Sequence, residues 1–443
     1  MRIIRAVVSL TLSALLGAVA FGALWVIIFN VKAVSSPYPA SPVITGFSID
    51  LASYNQLGHG DNWPTTWAAD GEQYSIFADG SGFNGGTEQT FGWAKVTGAP
   101  GDAGAWSGSE PASNGNIEAG YGSGGRKASG LIQVDGTLYA SVRNLSGQNG
   151  SSLRRSLDNG LNWEWASWPW PEFGYPFFVN MGQNYAANSD GFVYLYSPTS
   201  SNAYAVTDGL WLARVPKVQV WTQAAWQYFS GFDSSGIPTW SSSIAARQAV
   251  FSFPGHVYRP SAVYNTGLDR YLISMSLRTS EGLAPMDALY VFDAPTPWGP
   301  WTTVYENENF SAMWAGGQDE DPFHPQFPPK WISTDGKTMY LAWSCYPCTG
   351  FYAFNVAKVS LTASTTTGNK QGDADCNGVI NVLDALMVLR YITGTNSGSC
   401  LAFLSNVDCT DGINVIDALK VLQFLSGLPV NQDEPCPDIG QPV

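Results

Sequence analysis

Apolar and polar positions alternate in short runs along most of the chain, and one kind of punctuation recurs between the runs. Trp67-Ala68-Ala69-Asp70-Gly71 leads into Tyr74-Ser75-Ile76-Phe77. Val134-Asp135-Gly136 leads into Leu138-Tyr139-Ala140-Ser141-Val142, and Ser189-Asp190-Gly191 into Phe192-Val193-Tyr194-Leu195-Tyr196. Tyr264-Asn265-Thr266-Gly267 leads into Tyr271-Leu272-Ile273-Ser274-Met275, and Ser333-Thr334-Asp335-Gly336 into Met339-Tyr340-Leu341-Ala342-Trp343. Each reads as strand, tight turn, strand: Asp and Gly accept turn dihedrals, and the apolar run that follows fits a pleated sheet. Five such hairpins, spaced a little wider than a typical blade, predict an all-β fold, a five-bladed β-propeller. A β-sandwich with coincidental turns is the alternative. Ser156-Leu157-Asp158-Asn159-Gly160-Leu161-Asn162-Trp163 matches the Asp-box, S-x-D-x-G-x-x-W. There the Asp ties a hairpin turn and the Trp packs between sheets, so Asp158 is read as structural.

Composition sharpens this picture. The chain has 443 residues and a formal net charge of −14, with only 13 % charged residues against a usual ~25 %. That balance excludes a phosphate-backbone binder, so no nucleic-acid partner is expected. Aromatics at 14 %, with 47 Gly and 27 Pro, exclude disorder and coiled coil. Arg2 and Arg5 precede an uncharged run over residues 6–31, so residues 1–36 read as a signal peptide or an uncleaved signal anchor. Either places the rest outside the cytoplasm, secreted or at the cell surface; a membrane contact arises only through that anchor. The six cysteines, Cys345, Cys348, Cys376, Cys400, Cys409 and Cys436, are an even count in an exported chain and favour disulfides.

Ordered blocks then become familiar. Gly60-Asp61-Asn62-Trp63-Pro64-Thr65-Thr66-Trp67, Phe77-Ala78-Asp79-Gly80-Ser81-Gly82-Phe83 and Arg126-Lys127-Ala128-Ser129-Gly130 are among them. So are Arg143-Asn144, Ala213-Arg214-Val215-Pro216-Lys217, Tyr264-Asn265-Thr266-Gly267-Leu268-Asp269-Arg270 and Pro329-Lys330-Trp331. Over residues 47–361 the chain resembles a family of exported bacterial five-bladed propellers that includes the mycobacterial endo-D-arabinanases. The resemblance implies a propeller over 44–361 and a polysaccharide substrate. His59 stands where that family is expected to carry a small polar residue.

Glycoside hydrolysis needs two carboxyl groups across the scissile bond. Asp61 starts one strand and Asp79 ends the next, so antiparallel pairing brings both to one rim, facing solvent in the central funnel. Trp63, Trp67, Phe77 and Phe83 are placed to stack on sugar rings. A carboxyl among apolar rings and beside a like charge has a raised pKa, as a general acid requires. Asp61 and Asp79 are therefore the expected catalytic pair, in the positions the resemblance also favours. Asn62, Trp63, Arg126, Lys127, Arg143, Tyr258, Arg259, Asn265 and Lys330 are the expected substrate-binding residues. Glu118, Glu172 and Glu320 are candidates for a third carboxyl, His59 for orienting Asp61, and His324 for a loop.

Residues 362–371 read as a linker, and 372–430 hold an internal duplication followed by a tail, 431–443. Asp373, Asp375, Asn377, Val379, Asn381 and Asp384 have the oxygen spacing of an EF-hand-type calcium loop, with Gly378 at the turn and a helix after it. The second copy uses Asn406, Asp408, Thr410, Gly412, Asn414 and Asp417, with fewer charges. Two such loop–helix units resemble a dockerin, which implies structural calcium and a cohesin-like protein partner; no organic cofactor is expected. Val382-Leu383 and Val415-Ile416 depart from the Ser-Thr pairs of cellulosomal dockerins. A calcium-stiffened cap on the propeller is the alternative. The four tail cysteines allow three pairings, with Cys376–Cys400 and Cys409–Cys436 expected.

The sequence thus predicts an exported glycoside hydrolase acting on an arabinan-like or other furanose-rich glycan. A non-catalytic sugar-binding propeller is the alternative, and a sialidase-like enzyme is disfavoured by the single Asp-box.

Overall fold

The computed structural model describes residues 35–101, 106–118, 122–233, 237–277, 288–310, 322–345, 350, 352–364, 370–374, 379–394, 404–410, 412–432 and 436–441. The expected signal run at 6–31, together with Asp375, Asn377, Cys348, Cys376, Cys400 and Glu320, lies outside them.

The described residues are mostly in β-strands, with two α-helices in the C-terminal part of the chain. Strand β1 spans Ile44–Leu57. A four-stranded sheet follows, β2 (His59–Trp67), β3 (Gln73–Gly82), β4 (Gly92–Thr97) and β5 (Ser107–Ser109), paired in chain order. The second has the same order: β6 (Lys127–Val134), β7 (Thr137–Ser146), β8 (Asn149–Ser156) and β9 (Glu164–Trp170). The next nine strands form one sheet of two meanders. The first is β10 (Phe177–Asn180), β11 (Phe192–Pro198), β12 (Thr207–Pro216), β13 (Gln227–Phe232) and β14 (Pro238–Ser241). The second is β15 (Ala249–Asn265), β16 (Arg270–Leu277), β17 (Ala288–Ala294) and β18 (Thr302–Asn307). Their innermost strands, β10 and β15, meet in parallel at Val179↔Ala262. The last sheet is β19 (Pro322–Gln326), β20 (Thr338–Cys345) and β21 (Phe354–Ala363). Its fourth strand is β1, antiparallel to β21 from Ile44↔Ala363 to Leu57↔Phe354.

The repeated turns fall at one equivalent place, between the first and second strand of each meander. Asp70-Gly71 joins β2 to β3, Asp135-Gly136 β6 to β7, and Asp190-Gly191 precedes β11. The Asn265–Asp269 turn joins β15 to β16, and Asp335-Gly336 precedes β20. The carboxylates hold the turns. Asp70 accepts the Glu72 N–H and the Tyr74 hydroxyl, and Asp190 accepts the Phe192 N–H and the Tyr194 hydroxyl.

Apolar faces join successive sheets. Ile76 and Trp93 pack with Leu131, Leu138 and Val142; Leu272 and Val291 pack with Met339, Leu341 and Val359. The last sheet returns to the first through Trp331, Phe354 and Val356 against Trp63 and Phe77. The Asp-box sits between the first two sheets. Ser156 and the Asn162 N–H donate to Asp158 Oδ1 at 2.8 and 2.9 Å, the Asn162 amide donates to Oδ2 at 2.7 Å, and Trp163 lies edge-on to Trp93 at 5.2 Å.

Helices α1 (Val382–Ile392) and α2 (Val415–Leu425) repeat one design. Asn381 and Asn414 are their N-caps, and Asp384 and Asp417 close the reciprocal capping boxes. Val388, Ala418 and Ala374 pack together, as do Val421, Ala385 and Val407. Cys409 is disulfide-bonded to Cys436, and Cys345 is also in a disulfide.

The Asp-box turn gives a measurable expectation. Gly160 has φ +86°, and a Cβ there meets the Trp93 ring at 2.1 Å. Gly160→Ala is expected to cost about 3 kcal/mol through strain and overpacking, and the exposed Asp158→Ala about 1 kcal/mol. Chemical denaturation reads both, and wild-type midpoints for the pair would refute the structural role.

Candidate active site

The sequence places proline on the innermost strands just where regular pairing has to stop. Trp63-Pro64, Tyr175-Pro176, Arg259-Pro260 and His324-Pro325 each put an X-Pro step on or just before the first strand of a meander. Proline has no N–H to donate, so it is tolerated on an edge and favours a bulge. The register slips between Asn62 and Thr65 in β2, Tyr258 and Ser261 in β15, and Phe323 and Gln326 in β19. At these slips Asn62, Trp63, Arg259 and His324 have φ of 69°, 55°, 42° and 55°; Asp79, at the end of β3, has 49°. Left-handed backbone at non-glycine residues costs about 1–3 kcal/mol each and gathers where side chains must be re-aimed.

These side chains form one buried polar cluster. Asp61 is 8 % exposed and Asp79 7 %, so neither faces open solvent as expected. Lys127 is ion-paired with Asp79 Oδ1, which also accepts the Gly122 N–H at 3.1 Å. The Tyr352 hydroxyl donates to Asp61 Oδ2 at 2.9 Å, while Oδ1 is buried without a partner among the described residues. Burial first, then the charge of Asp79, pushes the Asp61 carboxyl up to about 6; Lys127, Arg143 and Arg259 pull the other way. Arg143 lies opposite Lys127 across the β6–β7 ladder and donates to the Ala128 carbonyl at 3.1 Å and Asn62 Oδ1 at 3.3 Å. Its guanidinium stands over the rings of Tyr175 at 5.0 Å and Tyr204 at 5.9 Å.

Arg259 and His324 fix each other's chemistry. A guanidinium only donates, so Arg259 Nη1 gives its hydrogen to His324 Nε2 at 3.0 Å. The proton of the neutral imidazole is then on Nδ1, which donates to the Tyr175 hydroxyl oxygen at 2.7 Å. Burial, and then Arg259, Arg143 and Lys127, hold His324 well below its ordinary pKa, in agreement with a neutral imidazole. Burial also pushes the Tyr175 phenol up to about 12.

Asp61, Asp79, Asn62, Lys127, Arg143 and Arg259 therefore come together, and several expected residues do not join them. Trp63 is fully buried in the apolar core against Phe77, Phe83 and Phe354, and its indole N–H is spent on the Gly60 carbonyl, so it cannot stack on a sugar. Asn265 ties the opposite turn by donating to the Gly336 carbonyl. Lys330 lies 3.8 Å from Glu72. Arg126 lies over Trp165, and Glu118 is ion-paired with Arg154 rather than with a member of the cluster. Tyr258 is buried beneath the Arg259 guanidinium. His59 is exposed, accepts the Ser81 N–H and leaves Asp61 to Tyr352. His324, read as a loop residue, is a buried strand residue inside the cluster. Tyr175, Tyr204, Tyr352 and His324 escaped sequence reasoning; the recurrent X-Pro step was the available signal for Tyr175 and His324.

In the tail, Asp417 Oδ1 accepts the N–H groups of Val407 and Asp408 at 2.8 and 3.2 Å, and Oδ2 that of Asn414 at 2.7 Å. Burial, with the nearby charge of Asp408, holds Asp417 above the usual carboxylate range. Asp408 also accepts from Thr410 and lies 3.8 Å from Lys420. Asn406 Oδ1 is buried without a partner among the described residues, which include no cluster of three or more His, Cys, Asp or Glu shaped for a metal.

The Asp61 shift sets a sign for stability. Between about pH 4 and 6 the folded protein keeps a proton that the unfolded chain has released, so stability falls as pH rises through that window. The loss is on the order of 3 kcal/mol and is complete above the folded pKa. Asp61→Asn should remove this fall, so denaturation curves at pH 4, 5, 6 and 7 should converge at the acid end and separate at neutral pH. Parallel pH profiles for the two proteins would reject it.

Comparison with known proteins adds the following. The family described as a domain of unknown function, DUF5005, matches residues 171–310. No curated protein matches. Among solved structures, a Bacteroides ovatus ATCC 8483 protein is 14 % identical, covering 71 % of this chain and 90 % of that one, with a TM-score of 0.44. A GH43_1 enzyme from Xanthomonas citri is 12 % identical over 71 % and 96 %, with a TM-score of 0.38. A xylan β-1,4-xylosidase from Bacillus halodurans C-125 is 14 % identical over 69 % and 53 %, with a TM-score of 0.39.

Proposed function

We propose that the chain is a five-bladed propeller glycoside hydrolase with a calcium-binding, dockerin-like tail. The observation that carries the activity is the pair of aspartates on adjacent strands, held in unlike surroundings within one buried cluster. Asp61 has an unpartnered oxygen and a carboxyl raised to about 6, the setting of a general acid. Asp79 sits against the Lys127 ammonium and a backbone N–H, the setting of a base or nucleophile. The first strands β2, β6, β10, β15 and β19 all contribute to one cavity, through Thr65, Ser129, Asn180, Ser261 and Gln326 among others, as the central channel of five blades does. The substrate is a polysaccharide outside the cytoplasm; the sequence resemblance favours an arabinan-like or other furanose-rich glycan.

Incubated with a polysaccharide panel, the wild-type protein should release reducing ends. Asp61→Asn and Asp79→Asn should each lower turnover ~10²–10⁴-fold, and turnover should fall above about pH 6 as Asp61 ionises. Near-wild-type turnover in either variant sinks the assignment. Glycan binding with no reducing-end release makes the chain a sugar-binding propeller instead.

The all-oxygen donor set of the tail suits a hard cation. Asn406, Asp408, Thr410, the Gly412 carbonyl and Asp417 would hold calcium in the second loop, with Asn414 at the helix cap. Asp373, Asp375, Asn377, the Val379 carbonyl, Asn381 and Asp384 would hold it in the first. The ion would neutralise the close Asp408–Asp417 charges. A cohesin-like protein is the partner this module implies. Calorimetry on the whole chain should show a tighter site abolished by Asp384→Asn and a weaker one abolished by Asp417→Asn. The reverse order, or no calcium heat, rejects this reading.

A further inference from the structure

A buried cation is stable when an anion stands beside it or acceptors take its hydrogens. Two guanidiniums in the cluster are only half served. Arg143 is 1 % exposed and gives its Nη hydrogens to neutral acceptors, the Ala128 carbonyl and the Asn62 side chain; its Nε has no partner among the described residues. Arg259 is 8 % exposed, donates to the neutral His324 imidazole, and also has an Nε without a partner there. The Asn62 side-chain amide nitrogen is a third buried donor left over.

The charges point the same way. Lys127 and Arg143 face each other across one ladder, a like-charge pairing that destabilises a sheet unless an anion offsets it. Asp79 offsets Lys127 alone. Asp61 is the remaining carboxyl of the cluster among the described residues, and one of its oxygens is engaged by Tyr352. Three cations against two carboxyls leave the cluster at +1 when both are ionised. The guanidinium planes are also pre-set. Arg143 lies over Tyr175 and Tyr204, and Arg259 over Tyr204 at 4.5 Å and Tyr258 at 5.0 Å. Burial pushes the Tyr204 phenol up, but Arg143 and Arg259, together with the Asn144 amide and Lys127, bring it below the ordinary value, a sign of the positive field at this point.

We infer that this site takes an acidic sugar, a glycan residue carrying a carboxylate or similar oxyanion that Arg143 and Arg259 grip while Asn62 donates beside them. The sugar rests on the hydrolase reading above; the anion does not. Forked donors match an oxyanion in two directions at once, and water exclusion strengthens each bond.

The test is binding, read separately from turnover. The whole protein is titrated by biolayer interferometry with glucuronoxylan, arabinan-bearing pectin and their carboxyl-reduced counterparts, in which each uronate has become a neutral sugar on the same linkage. Phosphomannan before and after phosphatase forms a second arm. At least one native acidic glycan should bind tenfold or more tighter than its neutralised form. Arg259→Gln should erase that preference, and Arg259→Lys, which keeps the charge but not the fork, should restore part of it; a thermal melt confirms that each is folded. Preference for phosphomannan over the uronates assigns the oxyanion to a phosphate ester and keeps the anion site. Equal binding of native and neutralised glycans, no binding of either, or a preference that survives in folded Arg259→Gln overturns the inference. Hydrolysis of neutral glycans with no acidic preference would sink it and leave the hydrolase reading intact. Acidic preference without any hydrolysis would do the opposite.

Discussion

Apart from the short parallel pairing of β10 with β15, the inner edges of the sheets are rows of backbone groups with no further strand to pair with, and the structure depends on how those groups are served. Buried backbone donors and acceptors need partners. Here the carbonyls of the X-Pro steps are met by side chains of the neighbouring sheet. Ser129 and Ser141 both donate to the Pro176 carbonyl at 2.6 Å, and Ser261 and Ser274 both donate to that of Pro325. Gln326 donates to the Asn62 and Trp63 carbonyls and accepts from Thr65, and Asn180 donates to the carbonyls of Thr65 and Leu131. Apolar packing joins the sheets, but these polar ties fix their angular order.

The same arrangement makes the site. A proline that stops the ladder frees the residue before it to leave the strand's regular alternation, and the neighbouring serines hold the displaced backbone in place. Arg259, His324 and Tyr175 are aimed inward by this device, while Asn62 is aimed by the bulge one residue earlier. The cluster is assembled from β2, β3, β6, β7, β15, β19 and the segment before β10, so its electrostatics exist only when the sheets are in register with one another. Asp79 and its ion-pair partner Lys127 belong to different sheets, and so do Asn62 and Arg143.

The hairpin turns were legible because their dihedrals favour particular residues, and Asp-Gly recurs at four of the five. Asp61 and Asp79 were legible as a pair because two antiparallel neighbours bring strand start and strand end together. Trp63 was misread for a physical reason: an aromatic beside a carboxyl looks the same in sequence whether it lines a cleft or fills the core beneath it. Asn265 and Lys330 sat in blocks that resembled a functional family, yet those blocks build the turn end of the sheets. Tyr352 and His324 were hidden because each is more than 250 positions from Asp61, and only the closure of the last sheet onto the first brings them near.

Of the described strands, β1 emerges earliest during synthesis and its partner β21 latest. At about 5–20 residues per second the wait is on the order of 15–60 s. Over that interval β1 is an unpaired strand able to join the wrong edge, and the sheet it completes is missing its outer member. The topology therefore ties both the fold and the polar cluster to the appearance of β21. A ribosome-bound or truncated product lacking β21 carries both aspartates, yet has no last sheet to hold His324 and Tyr352 in place, and it offers an open edge to other chains. Such a molecule is a substrate for chaperones and proteases before its polar cluster has formed, and slow, non-local closure of this kind makes its yield sensitive to temperature and crowding.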